Sequence, residues 1–267
     1  MSSRTAAAPD RRAATPRSPV AMTVRYALLS AVSTIRNGRF LVFTAALPVA
    51  MYLLFNGLYG QQDAGDGSSL TASSYLMISM ACYGAIGGAL NSGARIAIER
   101  QTGWNRQLRL SALPGSGYLI GKAFVSLLVA VPPIVLVFAL GAIVGKVQLS
   151  PLTWAVAAVA IWLCTIPFAL LGLVIGSLAT PDSTQPISML IYLGTSILGG
   201  LWVPIDQFSA FLQHLARFVP TYWIAGIGRD AVDGSGLRLM GVAVLLGWTI
   251  VLGAIGVIAY RRSGDRV

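Results

Sequence analysis

Six long apolar runs recur along the chain, at residues 40–59, 75–94, 123–144, 154–176, 187–203 and 239–260, and none contains Asp, Glu, Lys, Arg or His. A helix needs ~20 apolar residues to cross ~30 Å of hydrocarbon. Five runs are near that length, and the run at 187–203 is at its lower edge and open to being broken. The pattern predicts an all-α integral membrane protein with six transmembrane helices. Pro48 falls in the first run, and Pro132-Pro133 and Pro167 predict kinks in the third and fourth. Gly84, Gly88 and Ser92 share one face of the second, a small-residue ridge that lets helices approach closely in lipid; Gly141/Gly145 and Gly172/Gly176 repeat the spacing.

Between the runs, the polar segments differ in kind. Residues 1–20 are small, polar and Pro-containing, and read as a disordered arm. Arg11-Arg12 is followed by no apolar core and cleavage site, so a cleaved signal is not expected. Over residues 24–37, Val24, Ala27, Leu28, Ala31, Val32 and Ile35 repeat at helical spacing with Arg25, Ser30, Ser33 and Arg36 off the stripe. That predicts an N-terminal interfacial helix, since Arg36 and Arg39 are costly deeper in lipid.

The segment 95–122, RIAIERQTGWNRQLRLSALPGSGYLIGK, has Glu99 as its one acid among four arginines and a lysine. A helix from about Glu99 to Ala112 places Trp104, Leu108, Ser111 and Ala112 on one face, with Asn105, Arg106 and Arg109 elsewhere and Pro114-Gly115 as the stop. A loop serving topology alone needs no such apolar face, so the segment reads as a docking handle. After the fifth run, Phe208, Phe211, Leu212, Leu215 and Phe218 form another stripe, too polar and too short for a seventh span. Short extracellular re-entrant helices between spans five and six are expected, with Trp202, Tyr222 and Trp223 as an interfacial belt or substrate path.

Charge orients the spans. Of 19 Lys and Arg, all but Lys146, Arg217, Arg229 and Arg238 lie in the N-terminal segment, in 95–122 or after residue 260, whereas the loop around Asp63 and Asp66 has no basic residue. Such asymmetry marks the cytoplasmic face, so both termini are expected inside, which takes an even number of spans. The net charge of +10 then needs no nucleic acid, because the arginines are dispersed and not interleaved with stacking aromatics. A strong preference of Arg over Lys fits a GC-rich bacterial genome. Cys82 and Cys164 sit inside runs, where they behave as small hydrophobes.

Several chemistries have no residues to support them. The nearest approach to a phosphate-binding loop, Ser116 to Ala123, lacks the leading Gly at its proper spacing and the Ser/Thr after Lys122. His214 is the single histidine, and no Cys/His spacing suits a metal, so no catalytic residue and no metal site is expected. Ion-coupled pumps carry intramembrane Asp, Glu or His; these runs carry none, so the energy for uphill transport must enter from outside the bilayer.

In order and spacing, the chain from 24 to 262 resembles the permeases of ABC-2 type exporters, the class that includes drug and lipid exporters. Arg36-Asn37-Gly38-Arg39-Phe40 with Pro48 is similar to the lead-in to the first span. Glu99-Arg100-Gln101-Thr102-Gly103-Trp104 with Leu108 and Pro114 is similar to the cytoplasmic coupling segment, although Gln101 and Asn105 depart from the commoner choices. Gly200-Leu201-Trp202-Val203-Pro204 resembles the exit from the fifth span and Pro220-Thr221-Tyr222-Trp223 the re-entrant stretch. The resemblance implies a 24–262 transmembrane domain working as a homo- or heterodimer with two separate ATP-binding subunits, which would bind ATP and Mg while this chain holds no cofactor. Glu99, Arg100 and Arg106 would then pair with the ATPase, and Trp104 and Leu108 would pack into its groove. A cavity without charges, lined by Gly, Ala, Leu and aromatics, suits hydrophobic or amphipathic cargo such as a drug, antibiotic or lipid, exported across a bacterial plasma membrane. The alternatives are a stand-alone secondary transporter or channel, and a membrane scaffold.

Overall fold

The computed structural model describes residues 18–60, 70–90, 92–102, 115–236 and 238–262. Among them the regular structure is helical, with no strand. Helix α1 (Pro19–Ile35) starts on Ser18, whose Oγ accepts from the Ala21 N–H at 3.2 Å, and Pro19 occupies the first turn. It begins five residues before the periodic stripe, so 18–20 belong to a helix and not to the arm; residues 1–17 lie outside the described residues. The stripe itself divides: Ala31 is buried where α1 lies along α5, whereas Val24, Leu28 and Val32 are exposed together with Val20 and Leu29.

Asn37 caps α2 (Gly38–Tyr59), its Oδ1 accepting from the Phe40 N–H. α3 (Ala72–Leu90) and α4 (Ser92–Gln101) together form one apolar traverse over 72–99. α5 (Gly115–Ile143) runs through Pro132 and Pro133 without interruption. α6 (Pro151–Cys164) and α7 (Ile166–Leu178) form the next traverse, divided at Thr165. There the Thr165 N–H turns to the Trp162 carbonyl, and Pro167 has no N–H for the Leu163 carbonyl, so the kink expected at Pro167 is a break. α8 (Pro181–Leu198), a single turn of 3₁₀ helix (Ile205–Gln207), α9 (Ala210–Ala216), α10 (Pro220–Asp233) and α11 (Leu239–Arg262) complete the order.

Among the described residues, five helices or helix pairs are long and apolar enough to cross a membrane: 38–59, 72–99, 117–143, 151–178 and 239–259. The fifth apolar run, at 187–203, is not among them. Its helix starts in polar sequence at Pro181 and stops at Leu198, because Gly199-Gly200 close it. Gly200 takes φ +75°, its N–H bonds the Ile197 carbonyl, and the Leu201 N–H bonds the Ser196 carbonyl. This is a Schellman termination, open to glycine because only it adopts that φ without strain.

α3 is the axis of the molecule. Met77, Ile78, Met80, Ala81, Cys82, Tyr83, Ala85 and Ile86 are fully buried among α2, α5, α7 and α10. Close approach rests on the small residues of its ridge. A Cβ at Gly84 would stand 2.5 Å from Pro133 and 2.9 Å from Pro48, and one at Gly88 would stand 2.7 Å from the Val129 carbonyl oxygen. That carbonyl is the one Pro133 leaves without an intrahelical donor, so the glycine lets α3 pack against the freed oxygen.

Candidate functional site

The basic segment 95–122 does not begin a new helix at Glu99. Glu99 and Arg100 stand in the last turn of α4, the continuation of α3, and the next described helix starts at Gly115. Trp104, Arg106 and Leu108, with Asn105, Arg109, Ser111 and Ala112, lie outside the described residues. Both flanks of the segment are nevertheless tied to each other. Lys122 Nζ, on the second turn of α5, meets Glu99 Oε1 at 2.5 Å, and the Tyr118 hydroxyl donates to Glu99 Oε2 at 2.8 Å. Lys122 also lies beside the Tyr118 ring, 5.6 Å from its centre. Its side chain is only 10% exposed, against 26% for Glu99. The pair thus sits at the edge of the protein interior, where a carboxylate offsets much of the cost of burying an ammonium group.

Two further contacts join the same end of the bundle. Arg95, one turn earlier on α4, donates from Nη1 to Thr34 Oγ1 at 3.3 Å and stacks over the Phe40 ring at 4.8 Å. Tyr26 of α1 packs against Tyr118 with ring centres 5.9 Å apart. Tyr26, Thr34, Arg95, Glu99 and Lys122, with Ser30, Ser33, Thr102 and Val125, line a cavity of about 360 Å³. Four helices therefore meet where the basic segment leaves and re-enters the bundle. Glu99 was expected to face an ATPase; its carboxylate is engaged within the chain.

At the other end of α8, the expected aromatic trio does not form one group. Trp202 meets Tyr83 edge-on at 5.4 Å, and Tyr83 stacks on Tyr192 at 4.4 Å. Tyr222 and Trp223 pair with each other at 5.0 Å, and Trp223 is 9% exposed, with its Nε1–H bonded to the Arg217 carbonyl. α10 is more deeply seated than expected: it buries Thr221, Ile224, Ala225, Ile227 and Gly228, and Gly228 faces Ile78 of α3 and Ile161 of α6.

Sequence reasoning gave Arg229 and Asp230 no role. Arg229 lies 4.2 Å over the Tyr75 ring and reaches the Gly200 carbonyl, to which the Tyr75 hydroxyl also donates. Asp230 is buried and binds Arg238 Nε at 2.7 Å and Ser235. The adjacent opposite charges in GIGRDAVDG were the available signal, but nothing in one sequence says that each finds its own partner. Among the described residues no group of three or more His, Cys, Asp or Glu could hold a metal.

Two grooves open on the apolar flank. One, of about 640 Å³, lies at the α6–α7 break, between Val156, Val159, Leu163 and Pro167 on one side and Leu245 and Thr249 of α11 on the other. The second, about 780 Å³, runs from His214 and Arg217 past Tyr222 and Trp223 to Trp248 and Val251.

Among the described residues the chain is an all-helical bundle around a buried central helix, with five traverses long and apolar enough to cross a membrane, the build of a multi-pass membrane protein. The profile of the ABC-2 type transporter family matches residues 24–232, and the chain belongs to that family. It is 26% identical over 218 residues, 81% of this chain and 88% of the other, to the Bacillus subtilis (strain 168) protein named "Putative transport permease YvfS". Membership makes the chain the transmembrane permease component of an ABC transporter, a kind of assembly in which an ATP-binding partner supplies the energy.

Proposed function

We propose that the chain is the permease of an exporter that moves a hydrophobic or amphipathic compound (a drug, an antibiotic or a lipid) out of a bacterial cytoplasm or inner leaflet. Two permease copies work with two ATP-binding subunits, which carry the ATP and Mg. Both termini are cytoplasmic, α1 lies in the cytoplasmic interface, and α8 with the outer helices completes the sixth traverse.

The observation that carries the reading is the Glu99–Lys122 clamp. Residues 103–114 connect, along the chain, two helices whose ends are locked together by an ion pair and a tyrosine hydroxyl. Force applied to Trp104, Arg106 or Leu108 by an ATPase cannot be absorbed by the helices splaying apart. It passes to α3 and α5, the most buried helix and its chief neighbour. In this arrangement Arg100 and Arg106 are the residues left to meet the partner, and Glu99 acts as the brace behind them. The apolar grooves at the α6–α7 break and beside Trp223 support greasy cargo, with His214 and Arg217 at the mouth of the second suited to a polar end group.

Affinity purification from the native host in mild detergent, with mass spectrometry of the partners, tests this. An ATP-binding subunit at about one per permease is expected. A chain that purifies alone, even after cross-linking, would return the stand-alone transporter to first place. With the complex in hand, R106E should abolish cargo-stimulated ATP hydrolysis while the permease still inserts at its normal level; unchanged stimulation would sink the coupling assignment.

A further inference from the structure

The cavity at the meeting of α1, α4 and α5 contains more positive charge than its ion pair uses. Arg95 and Lys122 face it with Glu99 as the only carboxylate among the described residues that line it, so among these one positive charge is in excess. Glu99 is matched to Lys122. Among the described residues, Arg95 has one side-chain hydrogen bond, to Thr34, and offers its ring-stacked plane to Phe40. A guanidinium has five N–H donors in a fixed fork that fits phosphate oxygens. Ser30, Ser33 and Thr102 add hydroxyls to the wall. The volume, about 360 Å³, far exceeds the ~10–15 Å³ that a single water requires, so it admits a whole headgroup.

Its position selects the source of the anion. α1 forms one wall through Tyr26, Ser30, Ser33 and Thr34, while its opposite face leaves Val20, Val24, Leu28, Leu29 and Val32 exposed. A helix with an apolar face outward and arginines at its flank and end lies at the acyl–headgroup boundary. With α1 at that boundary, the cavity that it walls lies at the level of the lipid headgroups. We infer that the Arg95–Lys122 cavity binds the phosphate of an anionic phospholipid of the leaflet in which α1 lies, and that the lipid becomes part of the joint between α1 and the clamped segment. The inference rests on the interfacial reading of α1 given above and is independent of the transported cargo.

Native mass spectrometry of the full chain in mild detergent, titrated separately with phosphatidylglycerol, phosphatidylcholine and inorganic phosphate, tests it. Phosphatidylglycerol should be retained at least about ten-fold better than phosphatidylcholine, because choline brings a second cation next to the excess charge of the site, which opposes binding. R95Q should remove that preference, whereas R25Q, which deletes an equal charge from α1 outside the cavity, should keep it. Equal retention of the two lipids by the wild-type chain overturns the proposal whatever the variants do. So does equal loss in R95Q and R25Q, which means diffuse attraction, and so does tight inorganic phosphate with no lipid preference, which means a soluble anion. An environment-sensitive dye on L29C in nanodiscs separates the two readings. A blue-shifted dye without lipid preference rejects the cavity site alone; a dye reporting bulk water rejects the interfacial helix and the site with it.

Discussion

Lys122 is the residue on which the joint of α4 and α5 turns, because its charge is nearly enclosed and Glu99 is the acid that meets it. Removing the acid leaves the ammonium group stranded, which is worse than removing both. Breaking a fully buried pair costs ~3–5 kcal/mol, and partial exposure of Glu99 lowers that to about 1–3 kcal/mol here. E99Q should therefore melt several degrees below the wild-type chain in detergent, and E99Q/K122M should regain most of the loss. A double variant no more stable than E99Q would mean that the pair is not what holds α4 to α5. Arg229 follows a similar rule by different means: its charge is spread over the Tyr75 face and the carbonyl end of α8. Ring contact of this kind is worth ~0.5–2 kcal/mol, so R229Q should lower the melting point modestly, without the rescue a paired acid allows.

At the level of helices, glycine content decides which surfaces meet. Gly88 has the Val129 carbonyl where a side chain would go, and Gly172 has the Leu90 carbonyl, each within 3 Å of a built Cβ. Gly57 on α2 has nothing within 4 Å. G88V should cost at least the ~1–3 kcal/mol of an overpacked core and give poor yields of monodisperse protein, while G57A should leave size-exclusion profiles and melting unchanged. Equal tolerance of both would refute the packing of α3 on α5. Gly84, Gly88 and the 172/176 pair were visible in the sequence as a spacing, but so were Gly141 and Gly145, and spacing did not say which neighbour each would meet. The same holds for Trp162, whose Nε1–H reaches the Leu127 carbonyl of α5; W162F should cost about 1 kcal/mol, read as a small fall in melting temperature.

For the whole molecule, the apolar flanks matter most. Leu190 and Ile197 of α8, Phe43 and Leu54 of α2, and Ile250 of α11 are exposed, as expected of side chains that face lipid or another membrane subunit rather than water. If the complex holds two permeases, cross-linking in native membranes should give a species of twice the monomer mass that survives without the ATPase or disappears with it. Either result bears on assembly, and neither alters the fold. Uncoupling by R106E with intact insertion remains the whole-molecule prediction for the basic segment.

The chain's own pattern determined its class. Long uncharged runs allow one solution in lipid, helices that satisfy their own backbone, and the positions of five of the six runs, together with α1 and the basic segment's place between α4 and α5, could be read directly. The family resemblance rested on the order of short motifs and agrees with the match over 24–232. Only the tertiary structure decided the rest. It ended α8 at Leu198, split the fourth run at Thr165, sank α10 against α3, and turned Glu99 inward to Lys122 and Tyr118. Hydrophobic periodicity records how much of a residue avoids water, and a lipid-facing and a protein-facing leucine avoid it equally. Which partner a charge or a glycine meets depends on residues far along the chain, and that information exists only once the helices are packed.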